Sequence, residues 1–92
     1  MFLCNAFSLQ MVQDLPCTIM VREVEKLPEG LVSAIGHADT AAVLGVQCNR
    51  VNVALAKGDT VFVVQLVGGR LPEGSTTLPS GFKFKFLEVK IS

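Results

Sequence analysis

Apolar positions recur every second residue along much of this chain, the period of a strand with one buried face. Residues 17–24 set Cys17, Ile19 and Val21 on one face and Thr18, Met20 and Arg22 on the other. Residues 49–55 alternate as well, and residues 60–67, dense in β-branched side chains around Phe62, give the clearest strand signal. Two compact apolar runs, residues 2–6 and 31–35, predict short buried strands. The last segment places Phe82, Phe84 and Phe86 on one face and Lys83 and Lys85 on the other, then changes phase to Leu87, Val89 and Ile91. A bulge or a change of covering partner near Phe86 accounts for such a switch.

One segment departs from the period of two. In residues 36–45, Ala41, Ala42 and Leu44 favour helix and Gly45 offers a stop. So short a helix is not stable alone and must pack on a sheet. Asp14-Leu15-Pro16, the stretch 26–30 with Pro28 and Gly30, and Lys57-Gly58-Asp59 punctuate the rest. Residues 68–81 are rich in glycine and proline, and a loop of that length in a small fold is more often functional than idle. The pattern predicts an α+β member of the broad α/β class. Its small, mixed, mostly antiparallel sheet has five or six strands and one short crossover helix, in a single domain over residues 1–92.

Composition narrows what such a fold does. The chain has 92 residues, enough for one core. Half of them are hydrophobic and 17% are charged, with no tryptophan or tyrosine, so part of the surface is expected to be covered by a second copy in a homodimer. Eight basic and eight acidic side chains cancel, which disfavours a life on long DNA or RNA but not a short nucleotide ligand. Cys4, Cys17 and Cys48 are odd in number, form no C-x-x-C and stand apart from the lone histidine. Reduced thiols in a cytoplasmic protein follow, with no zinc site and no disulfide framework. Residues 1–13 are uncharged but interrupted by Asn5, Ser8, Gln10 and Gln13, without the basic start of a signal peptide or the length of a membrane span.

The candidate chemistry centres on His37, the one histidine, in Ile35-Gly36-His37-Ala38-Asp39-Thr40. A strand that delivers glycine and then a polar group to a helix start is how small α/β proteins meet phosphate, and an imidazole there can move a proton near neutral pH. A lone histidine is also commonly a capping or packing residue, and Thr40 can serve the same anion or the backbone. In Arg70-Leu71-Pro72-Glu73-Gly74, the guanidinium suits phosphate oxygens and Glu73 can reach the same centre, whereas a solvated ion pair is the plainer reading. Arg50 reads as a phosphate clamp or an ordinary edge charge. No P-loop or dinucleotide fingerprint is present, so triphosphate and dinucleotide sites are disfavoured and no cofactor is expected.

Taken in order, Phe2-Leu3-Cys4-Asn5-Ala6-Phe7-Ser8, Gly30 through Thr40, Asn49-Arg50-Val51, Gly58-Asp59 and Arg70-Leu71-Pro72-Glu73-Gly74 resemble the type III anti-CRISPR ring nucleases of viruses and bacteria. That family was formerly a domain of unknown function from archaeal viruses and bacterial mobile elements. The resemblance spans nearly the whole chain. It implies a metal-independent enzyme that opens cyclic tetra-adenylate, a homodimer with the ring held between two subunits, and, for a viral member, residence in the host cytoplasm. It places His37, Arg70 and Glu73 on the catalytic positions. Asn5, Ser8, Thr40 and Arg50 fall on ligand-contacting positions, Gly36 stands beside them, and Gln10 occupies a position where relatives carry asparagine. The chain departs from the family by a short 25–30 segment and a short piece after Gly74, which implies a more open pocket. Other classes are a module that sequesters a cyclic nucleotide uncut, a DNA-binding dimer, and a structural sheet protein with an inert histidine.

Overall fold

Five strands and one α-helix carry the chain, and the computed structural model describes residues 1–92. The strands are β1 (Phe2–Cys4), β2 (Ile19–Val24), β3 (Val32–Ala34), β4 (Thr60–Val67) and β5 (Lys83–Ile91), and helix α1 is Ala38–Leu44. They form one sheet in the order β2-β5-β4-β1-β3. The long pairings, β2 with β5 and β4 with β5, are antiparallel, whereas β1 lies parallel to both β3 and β4. The expected mixed α+β sheet is therefore present with five strands. Helix α1 lies on the connection from β3 to β4, two strands that flank β1.

Each face of the sheet has its own core. Leu3, Ile35, Phe62 and Val64 pack with Ala41 of α1, joined by Phe84 and Phe86. On the opposite face Cys4, Val61, Val63, Val89 and Ile91 pack under Val12, Val53 and Leu55. These two layers explain the phase switch in β5 without a bulge. Its register runs unbroken from Lys83 opposite Val67 to Lys90 opposite Thr60. Phe84 and Phe86 meet the helix side, and Leu87, Val89 and Ile91 meet the other cover, which reaches only that half of the strand.

Four sequence expectations are corrected. Strands 2–6 and 31–35 are shorter than expected, both ending where the β1–β3 ladder ends at Cys4 and Ala34, and the expected strand 17–24 starts at Ile19. The polar connection after β1 contains a 3-10 turn at Leu9–Met11. The predicted inner face of residues 17–24 holds only in part, because edge strand β2 leaves Val21 exposed. Residues 49–55 form no strand and touch the strand pattern only where Leu55 bridges Val12.

That last segment alternates for a different reason. After α1 the chain wraps around edge strand β3 and passes from the helix face to the opposite one. Asn49 N–H donates to the Ile35 carbonyl at 2.9 Å, Asn49 Nδ2 to the Ser33 carbonyl at 3.0 Å, and Ser33 Oγ to the Gln47 carbonyl. The polar groups of the open edge are thus met by an irregular strap, one way an edge strand is protected. Val53 and Leu55 then insert into the core beyond. The alternation in the sequence recorded burial, which a strap can satisfy as well as a ladder.

Candidate active site

Parallel strands β1 and β3 end side by side, and the residues that follow each meet at once. Fully buried Ile35 anchors the end of β3. Gly36 N–H then donates to Asn5 Oδ1 at 3.4 Å, and Arg50 Nε donates to the Gly36 carbonyl at 2.9 Å. Glycine suits this close approach, since a Cβ at position 36 would lie 3.0 Å from Arg50 Cγ. Asn5, Gly36 and Arg50 are therefore in direct contact, with only Nε of the guanidinium engaged.

His37 is the N-cap of α1, in extended backbone conformation at φ −99°. Thr40 N–H donates to its Nδ1 at 3.2 Å, and Thr40 Oγ1 lies 3.1 Å from the same atom. An Nδ1 that accepts from an amide has its lone pair free, so the neutral ring carries its proton on Nε2. The capping and chemical readings of this residue are thus compatible. Capping uses one nitrogen, and the exposed ring has the other. The amide of Thr40 is occupied by the imidazole, so it is not among the donors that a phosphate would meet at this helix start.

The 68–81 loop reaches the same corner through its turn. Ser75 N–H donates to the Pro72 carbonyl at 3.1 Å with Gly74 at φ +78°, a geometry that places Glu73 and Gly74 at the centre of a type II turn. Asp39 Oδ1, in the first turn of α1, accepts from Gly74 N–H at 3.1 Å and ties this turn to the helix. Arg70 and Glu73 are both exposed and make no ion pair with each other. The ion pairs of the chain lie elsewhere, joining Glu88 to Arg22 at 3.1 Å and to Lys90 at 3.9 Å. The plain expectation of an Arg70–Glu73 pair is not met.

Ser8 and Gln10 lie on the other side of this corner. With Asn5 they line an open cavity of about 430 Å³ whose wall also includes Gln13, Met11 and Asn52. Neither His37, Arg70 nor Glu73 lines it. The sequence-derived set is thus split between the helix start and the cavity, and Asn5 belongs to both. Cys4 lies in the cavity wall, where burial raises its thiol above the ordinary range and keeps it neutral. No group of three His, Cys, Asp or Glu side chains gathers to hold a metal ion. Asp39, Gln13 and Asn52 were not singled out from sequence. An acid in a first helical turn is usually a dipole effect, and nothing local announces its loop partner.

A family model described as STIV B116-like matches residues 1–83. Among solved structures, B116 of Sulfolobus turreted icosahedral virus is 30% identical, with 97% of each chain covered and a TM-score of 0.75. No curated protein matches the chain. No helix is long and apolar enough to cross a membrane.

Proposed function

The chain belongs to the STIV B116-like family, and from that premise we propose that it is a metal-independent ring nuclease acting on cyclic tetra-adenylate. The reading is supported chiefly by one observation. His37 and the turn bearing Glu73 are held on the same helix start, by Thr40 on one side and Asp39 on the other. The ordered resemblance in sequence points to the same two groups and adds Arg70. Opening the cyclic messenger would switch off signalling in type III CRISPR defence, on behalf of a virus or of a bacterial mobile element.

A ribose 2′-hydroxyl gives up its proton to solvent as its oxygen attacks the neighbouring phosphorus in line and expels the 5′-oxygen. This leaves a linear adenylate with a 2′,3′-cyclic phosphate. The nucleophile is part of the substrate, so the protein supplies orientation and charge. Neutral His37 presents Nε2–H to a phosphate oxygen. Binding of that anion favours the imidazolium, whose new Nδ1–H turns from the Thr40 amide to Thr40 Oγ1, already 3.1 Å away. Nε2 then protonates the leaving 5′-oxygen. Arg70 stabilises the negative phosphorane, and Glu73 orients the 2′-hydroxyl or holds Arg70 once substrate draws them together. The free Nη groups of Arg50 meet a further phosphate. Asn5, Ser8 and Gln10 offer carboxamides and a hydroxyl to an adenine edge in the cavity.

A ring of four nucleotides is larger than this cavity, which is where a second copy enters. Leu9, Met20, Val21, Val32 and Val51 are exposed apolar side chains, as expected of a chain that pairs with itself. In such a dimer each subunit acts on its own phosphate.

The test is incubation with cyclic tri-, tetra- and hexa-adenylate in the presence of a chelator, followed by separation of the products. Linear adenylates with cyclic phosphate ends are expected from the tetra-adenylate, and intact ligand recovered after tight binding would identify a sequestering module instead. Replacing His37 by alanine is expected to slow single-turnover cleavage by roughly two to four decades while binding stays within about twofold. Unchanged cleavage would overturn the assignment of His37.

A further inference from the structure

Of the hydrogen bonds made by residues 70–75, one leaves the loop, from Gly74 N–H to Asp39 Oδ1 at 3.1 Å. The turn closes on itself through Ser75 and Pro72, and the Gly74 amide lies outside that closure. That amide belongs to the peptide bond directly after Glu73, with Arg70 three residues earlier. Asp39 in turn is separated from His37 by Ala38 alone, on a helix whose Ala41 is buried in the core.

We propose that Asp39 is a positioning residue. Its carboxylate latches the turn carrying Glu73, and through it Arg70, to the helix start that carries His37. Two features support this role. A carboxylate beside a centre meant for phosphate works against anion binding, and its presence is reasonable where its charge is committed to a backbone N–H. The loop is also long, glycine-rich and exposed at both candidate catalytic residues, so few packing contacts could fix them. Hydrogen bonds to charged groups are the stronger kind, and one at the turn's centre restrains the peptide from which Glu73 projects. The consequence for catalysis rests on the ring-nuclease reading, whereas the latch itself does not.

Asp39→Ala and Asp39→Asn test the latch. Asparagine keeps an Oδ1 that accepts from Gly74 but loses the charge, so it should lie between wild type and alanine and closer to wild type. Alanine should speed exchange of the Gly74 amide roughly tenfold, with strand β4 amides unchanged, and should speed tryptic cleavage after Arg70. With cyclic tetra-adenylate, alanine should lower kcat about tenfold or more, leave KM within about threefold, and be rescued by asparagine. Asp39→Ser, one atom too short to reach Gly74, replaces the alanine variant if that variant does not fold. Unchanged Gly74 exchange and unchanged cleavage after Arg70 would overturn the latch. A looser loop with unchanged kcat would overturn its positioning role. A latch that behaves as described in a protein that cuts no cyclic adenylate would support the latch and overturn the nuclease reading.

Discussion

At the scale of single residues, the side chains of this corner divide their polar atoms between structural use and exposure. His37 spends Nδ1 on the Thr40 amide and leaves Nε2 to solvent, and Arg50 spends Nε on a carbonyl and leaves its Nη groups. Because the chain has one histidine, an imidazole nitrogen spectrum can be assigned without mutation. The neutral ring should appear as the Nε2–H tautomer, and an Nδ1–H tautomer would contradict the cap. The thiols diverge in the same way. Cys48 is exposed, whereas Cys4 is buried and its pKa is raised by desolvation. A thiol reagent at neutral pH should label Cys48 first and reach Cys4 only on unfolding. The sign for stability follows from the direction of the Cys4 shift. Its contribution is complete below the ordinary thiol pKa, and is lost as pH rises from there through the higher folded value. Of these facts the sequence showed which residues were available. It did not show that His37 would cap its own helix, because a cap depends on where the chain turns.

At the scale of elements, the end of β3 decides how well the site is built. Ile35 is completely buried, immediately before Gly36 and His37, and the strap at Asn49 bonds its carbonyl. Ile35→Ala should cost about 2–5 kcal/mol in denaturant unfolding. Ile35→Val should cost about 1 kcal/mol. Near-neutral results for both would mean that the strand end is not under the tension of packing described here. The cross-strand pair Arg22–Glu88 offers a contrast, since the arginine is 70% exposed. Arg22→Ala should cost less than about 1 kcal/mol, and less still at high salt. Strand β4 was legible residue for residue, because a dense β-branched run ending at Gly68-Gly69 leaves few options, whereas the loop after it runs one residue further than expected, through Phe82. Residues 49–55 were misread because alternation reports which side chains are buried, not whether their backbones pair.

At the scale of the whole molecule, the two layers and the proposed pairing of subunits set the limits of function. One copy brings His37 and the Glu73 turn to a common helix but leaves them outside the cavity that Asn5, Ser8 and Gln10 line. If the ring is held between two copies, specific activity should fall on dilution through the range in which sedimentation shows dimers separating. Activity strictly proportional to protein through that range would argue for a complete site in each chain. The sequence by itself determined the position of the main strands, the single short helix, the neutral charge and which candidate side chains the chain can offer, since periodicity and side-chain chemistry are local properties. Only the tertiary structure decided that Asp39 would hold Gly74, that the strap would seal β3, and that the polar set would divide between a helix start and a cavity. Those outcomes depend on contacts between residues far apart in the chain, 35 positions in the case of Asp39 and Gly74, and chain distance says nothing about such contacts until packing brings the segments together.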